Sequence, residues 1–170
     1  EYACHLSDYP DSMHYRYDNV ITLRTFSKAH GLAGFRVGYG FAHEDLIENL
    51  NKVKLPFEPS WPAQVAATAA LDDSAHIDST ITSCREGMEN MEMVFKEMEL
   101  DYIPSAANFL TLVFNNEEEA ASFTDTMLHK GIILRHLAGW GLSDCVRITI
   151  GQESENEYLV TCLSEILSEV

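Results

Sequence analysis

The sequence predicts an α/β chain followed by a smaller α+β part. Two observations carry this. Residues 20–41 hold two β-branched, apolar runs separated by a Gly-rich stretch, with amphipathic helical patterns behind them. From about residue 77 onward, the order changes to a long helix and then β-α-β-β-α. The expected division is therefore 1–76 and 77–170.

Each element has its own signal. Asp18-Asn19 marks a turn, and Val20 to Phe26 is a short β-branched run, hence a strand. Ser27 to Gly34 is small and Gly-rich, hence a loop, and Phe35 to Phe41 alternates as a second strand. His43-Glu44-Asp45 opens an amphipathic helix to about Lys54, with Leu46, Ile47, Leu50 and Val53 on its apolar stripe. Ser60 caps and Pro62 starts a second helix, Ala63 to Leu71, which Asp72-Asp73-Ser74 breaks. A long helix over Ile77–Met98 carries the stripe Ile81, Met88, Met91, Val94, Phe95 and Met98, read as ordinary core.

Beyond Pro104, Asn108 to Phe114 is a strand, and Glu117 to Lys130 is a helix with an acidic first turn and Gly131 behind it. Ile132 to Leu137 and Cys145 to Gly151 are strands, and Glu153 to Val170 is a closing helix. Two strands rarely make a stable sheet alone. Residues 1–76 are therefore expected to be the end of a larger α/β domain. Glu1-Tyr2-Ala3 reads like the middle of a chain, so a fragment is expected.

Composition narrows the function. Hydrophobic residues make up 46% of 170, enough for a packed core, and the formal charge is −16. Such a chain repels nucleic acid and anionic lipid, so neither is expected as a partner. It also makes the placement of its few arginines informative. Cys4, Cys84, Cys145 and Cys162 form no C-x-x-C pair and read as reduced thiols of a cytoplasmic protein. The seven histidines lack metal-ligand spacing, and no metal is expected. No apolar run is long enough to span a membrane.

One segment gathers the chemistry. In Thr25-Phe26-Ser27-Lys28-Ala29-His30-Gly31-Leu32-Ala33-Gly34-Phe35-Arg36, a strand ends in hydroxyls and a lysine, the edge at which open α/β sheets bind ligands. Arg36 is read inside the apolar second strand, with no acidic neighbour in sequence. Two hydroxyls, an amine and an unpaired guanidinium form a plausible phosphate cradle. The alternative is a solvated loop whose Arg36 pairs with a carboxylate distant in sequence. A Walker A loop is absent. Arg135 and Arg147 lie in the apolar runs IILRHL and CVRITI. From the residues alone, each is either an anion ligand or a strand-edge arginine covering apolar surface.

TFSKAHGLAGFRVGY resembles the cofactor-lysine motif of fold-type I pyridoxal-phosphate enzymes, S/T-x-S-K-x-x-G-L-x-G-x-R-x-G. Ser105-Ala106-Ala107-Asn108-Phe109 resembles the family's S-x-A-N-F strand. Gly131 to Arg135 and Val146 to Gly151 resemble the G-I-x-x-R and x-R-I-T-x-G segments of histidinol-phosphate aminotransferases. The similarity runs through nearly the whole chain.

The resemblance implies the C-terminal part of a fold-type I transferase: the end of the large, cofactor-binding domain plus the small domain. It implies that Lys28 carries pyridoxal 5'-phosphate and shuttles a proton, and that Thr25, Ser27 and Arg36 bind the cofactor phosphate. Arg147 would bind a substrate anion, with Arg135 joining it on a phosphate, and Asn108 would lie near the substrate. The implied activity is transamination of histidinol phosphate with 2-oxoglutarate in histidine biosynthesis, by a cytoplasmic homodimer. An aspartate for the pyridine nitrogen and a tyrosine for the ring oxygen are expected upstream of Glu1. Alternatives are an aromatic amino-acid aminotransferase, a phosphothreonine decarboxylase-like enzyme, or a non-catalytic ligand-binding domain of the same ancestry.

Overall fold

A computed structural model describes residues 1–3, 6, 8–15 and 17–168. Cys4, expected as a reduced thiol, and the last two residues of the expected closing helix lie outside the described residues. The chain divides into two compact units, one running to Ile81 and the other from Thr82 onward. The division falls inside one long helix, as does the expected boundary at residue 76.

The first unit holds a two-stranded antiparallel sheet, β1 (Thr22–Thr25) and β2 (Gly38–Phe41), in the register Thr22↔Phe41 and Thr25↔Gly38. Helices α1 (Glu44–Val53), α2 (Trp61–Leu71) and the start of α3 (Ser74–Glu97) follow. Local chemistry sets their ends. His43 Nδ1 accepts from the Asp45 N–H, and Ser60 Oγ accepts from the Ala63 N–H, each satisfying a donor that the helix cannot. The core here is small: Phe26, Val37, Ala63 and Ala67, with Leu32, Tyr39 and Ala70 against them. Phe26 also meets Tyr39 in a tilted ring pair. Gly38 is required because a Cβ there would lie 2.6 Å from the Arg24 carbonyl oxygen across the sheet.

The second strand is shorter than the sequence suggests, and Arg36 is not in it. Ala33–Phe35 is a 3-10 turn, and Arg36 follows in the left-handed region at φ 52 and ψ 49. The reason is local pairing. Phe26 receives the Leu32 N–H on its oxygen and donates its own N–H to Val37. The chain must fold up between Leu32 and Val37 to meet the same residue twice, so it cannot run extended from Phe35.

The second unit holds a four-stranded antiparallel sheet in the order β3 (Tyr102–Ile103), β4 (Phe109–Val113), β6 (Cys145–Thr149), β5 (Arg135–His136). Helices α4 (Glu117–His129) and α5 (Glu153–Ser168) complete it with the remainder of α3. Strand alternation sorts the two faces. Leu110 pairs with Ile148 and Leu112 with Val146, and all four are buried; Leu110, Leu112 and Ile148 share a core with Met88, Met91, Phe95, Met127 and Leu163. The intervening residues, Thr111, Arg147 and Arg135, belong to the other face.

Two elements depart from expectation. The strand expected over Ile132–Leu137 pairs only at Arg135 and His136. Its first residues close α4 instead: Gly131, at φ 84, donates to Leu128, and Ile132 donates to Met127. The edge strand β3 was not expected, because two residues ahead of Pro104 carry no periodicity.

Candidate functional site

The first cluster is the loop after β1. Phe26 and Ala29 are buried while Lys28 between them is exposed, so packing of its neighbours pushes the lysine outward. The Gly31 N–H donates to the Lys28 oxygen at 2.8 Å, and the Leu32 N–H closes on Phe26 at 2.8 Å. Gly31 sits at φ 71, a conformation that glycine adopts without a Cβ penalty. The Ser27 N–H donates to Thr25 Oγ1 at 3.1 Å, a hydroxyl turn that fixes both hydroxyl residues beside the lysine.

Arg36 is exposed, and its Nη1 donates to the Ala33 oxygen at 2.7 Å. The strand position read for Arg36 from sequence is thus corrected: a turn, not a strand, presents the guanidinium. A bulky residue in the left-handed region costs on the order of 1–3 kcal/mol and persists where its surroundings dictate it. No ion pair among the described residues involves Arg36, so the distant carboxylate considered as its alternative partner is not seen. Thr25, Ser27, Lys28 and Arg36 all lie within 12 residues on one loop system. Two hydroxyls, an amine and a guanidinium fit a phosphate-bearing aldehyde cofactor by donor type.

Sequence reasoning passed over His30. Its Nδ1 is buried without a hydrogen-bond partner, and its ring lies 4.8 Å from that of Phe26. Its neighbour Lys28 drew the attention, and a single histidine in a loop carries no spacing signal.

The second cluster lies on the sheet face opposite the second unit's core. Arg135 is the direct register partner of Arg147, and Thr111 is its partner on the other side. The order Thr111, Arg147, Arg135 thus runs across three strands. Like charges placed directly opposite repel. Even so, no ion pair among the described residues involves either arginine. Arg147 is half-buried, and its Nε is a buried donor with no partner. Its Cζ stands 5.2 Å from the Phe109 ring centroid, and Arg135 Cζ stands 5.7 Å from that of Trp140. Sequence reasoning placed Arg135 and Arg147 in apolar runs but gave no role to Phe109 or Trp140. Asn108 precedes β4, and its carbonyl accepts from the Ile150 N–H at 2.9 Å. Among the described residues, no group of three or more His, Cys, Asp or Glu could hold a metal ion. No helix there is long and apolar enough to cross a membrane.

The chain is similar to known proteins along most of its length. A family model for aminotransferase class I and II matches residues 6–163. A histidinol-phosphate aminotransferase of Nitrosococcus oceani is 40% identical over 165 residues, covering 96% of this chain and 44% of that protein. One from Akkermansia muciniphila is 44% identical over 149 residues, covering 88% and 40%. The chain thus spans less than half the length of the curated relatives it matches. The structure of a histidinol-phosphate aminotransferase from Sinorhizobium meliloti, in complex with pyridoxal-5'-phosphate, superposes with a TM-score of 0.82 at 29% identity, covering 89% of this chain and 42% of that one. An aromatic aminotransferase from Pyrococcus horikoshii superposes with a TM-score of 0.74 at 21% identity, which speaks for the fold alone. The fold is a partial fold-type I domain, and the chain belongs to the aminotransferase class I and II family.

Proposed function

We propose that this protein is a pyridoxal-phosphate-dependent aminotransferase that moves an amino group from histidinol phosphate to 2-oxoglutarate, in histidine biosynthesis, as a cytoplasmic homodimer. The observation that carries the substrate reading is the Arg135–Arg147 pair, two guanidiniums in direct register with no ion pair to either among the described residues. A phosphate dianion can accept from both forks, whereas a carboxylate usually saturates one. Relatives named histidinol-phosphate aminotransferase support the same reading. On this reading residues 1–76 are the end of the large domain and 77–170 the small domain.

The lysine loop supports the cofactor. Pyridoxal phosphate, when bound, supplies the electron sink of the reaction. Lys28 would hold it covalently through Nζ and then move a proton to and from the substrate Cα. Its exposure on a loop pinned at Phe26 and Leu32 suits both tasks. Thr25, Ser27 and Arg36 would bind the phosphate through two hydroxyls and a guanidinium. Arg147 and Arg135 would orient the substrate by its anion, and Asn108 would line the substrate's approach.

The deciding experiment is substrate profiling of the full-length enzyme. Histidinol phosphate should exceed phenylalanine in kcat/KM by at least a hundredfold, about 2.7 kcal/mol. Comparable values would make Arg147 a lone carboxylate clamp and the aromatic aminotransferase the better reading.

A further inference from the structure

The two arginines that face each other across β5 and β6 are each backed by an aromatic ring, and among the described residues neither is paired with a carboxylate. Arg147 Cζ lies 5.2 Å from the Phe109 centroid, and Arg135 Cζ lies 5.7 Å from the Trp140 centroid. Both distances fall inside the roughly 6 Å range of a cation–π contact. The fold places the rings deliberately. Phe109 pairs with Thr149, two residues from Arg147, so it is a diagonal neighbour on the same sheet face. Trp140 ends the 3-10 turn that follows β5, with its N–H on the Leu137 oxygen at 2.8 Å and Gly141 at φ 78 turning the chain back.

A carboxylate beside either guanidinium would relieve the repulsion of the pair. It would also cancel the charge and occupy the N–H fork that an incoming anion needs. An aromatic face attracts the cation through its quadrupole and leaves the in-plane N–H donors to others. The Nε of Arg147 is buried and has no hydrogen-bond partner, so this donor is held without an acceptor.

We propose that Phe109 and Trp140 are positioning residues that hold the guanidiniums of Arg147 and Arg135 for an anionic substrate group without neutralising them. This rests on the reading of the arginine pair as the substrate-anion clamp. The rings act through the arginines and touch no reacting atom.

The test uses the full-length holoenzyme. Trp140 is 66% exposed, so substitutions there leave the core intact. Trp140→Leu and Phe109→Leu should each raise the KM for histidinol phosphate and the inhibition constant for inorganic phosphate together, by about three- to tenfold. kcat and the cofactor's absorbance should stay as in the parent enzyme. Trp140→Phe and Phe109→Tyr should restore both constants to within about twofold, because they restore the ring face. Trp140→Glu should be worse than Trp140→Leu, since it supplies the neutralising carboxylate. Leucine variants that bind phosphate like the parent, or aromatic variants no better than leucine, would overturn the proposal. If the enzyme instead prefers phenylalanine, the substrate reading fails by itself. The same variants, scored on that amino acid's KM, then decide the role of the rings.

Discussion

The two compact units differ in how completely they satisfy themselves. In the unit from Thr82 onward, four strands and three helical segments bury Phe95, Met91, Leu110 and Met127 almost entirely. In the unit to Ile81, two strands and a core of Phe26, Val37 and two alanines leave Leu23 75%, Val53 76%, Phe57 97% and Trp61 75% exposed. Stability comes chiefly from apolar area removed from water. The second unit should therefore resist unfolding on its own core. The first spends its residues on presenting one loop, the one that bears Lys28. The proposed cofactor loop thus lies where packing is thin, and the proposed anion clamp lies on a strand face whose reverse is well packed.

The largest effect that would sharpen this contrast is at Lys28. Lys28→Ala in the full-length enzyme should cost turnover by on the order of 10³-fold or more, as loss of both covalent anchor and proton carrier requires. Its melting temperature without cofactor should match the parent's, because the side chain is exposed. Borohydride reduction followed by peptide mapping should place the cofactor on Lys28; label on another lysine would remove the assignment.

Next comes the core of the second unit. Phe95→Ala should destabilise the 170-residue chain by about 3–5 kcal/mol in chemical denaturation. Phe95 is fully buried and meets Tyr102 edge-on at a centroid distance of 5.7 Å. A loss below about 1 kcal/mol would mean that this core is not what holds the unit.

The arginine pair should come third. Arg135→Ala and Arg147→Ala should each depress kcat/KM for histidinol phosphate by roughly 10- to 100-fold, and the double variant by less than the product, because the two share one ligand. Additive losses would separate them.

A smaller effect is expected on the apolar surface of the first unit. Leu23→Ser should change stability by no more than about 0.5 kcal/mol while reducing self-association of the 170-residue chain in sedimentation experiments. Unchanged sedimentation would show that this face is inert.

The smallest concerns Asp11. The Met13 N–H, with help from Arg24 Nη2 at 2.9 Å, holds its carboxyl below the ordinary carboxylate range. A depressed folded-state value contributes stability above the unfolded value, and that contribution is lost as pH falls through the folded one. Asp11→Asn should therefore remove this small contribution at neutral pH, which flattens the acid limb of the stability curve slightly, and leave stability at the acid end unaltered.

Much of this was legible in the amino acids themselves. Caps and breakers acted within a few residues: Ser60 caps α2, Glu117-Glu118-Glu119 open α4 and Gly131 ends it. The strands Phe109–Val113 and Cys145–Thr149 were legible as apolar runs, whereas their pairing showed that Arg147 faces away from the core. The motif around Lys28 was legible because a lysine, its glycines and its hydroxyls are adjacent in sequence. Arg36 was not. Its residue type was noted, but its conformation depends on Phe26 bonding to both Leu32 and Val37, which no local pattern announces.

What the sequence by itself determined, then, is the order and type of most of the elements and the residues on which the proposed function rests, since these follow from interactions within a turn or a strand. Tertiary structure alone decided register and proximity. Only strand pairing made Arg135 the direct partner of Arg147, although they lie 12 residues apart. Only the return of the chain through Trp140 put a ring on Arg135. Such pairings arise from contacts whose partners are chosen by the whole fold, so a one-residue slip in β5 would have sent Arg135 to the core face and separated the two guanidiniums.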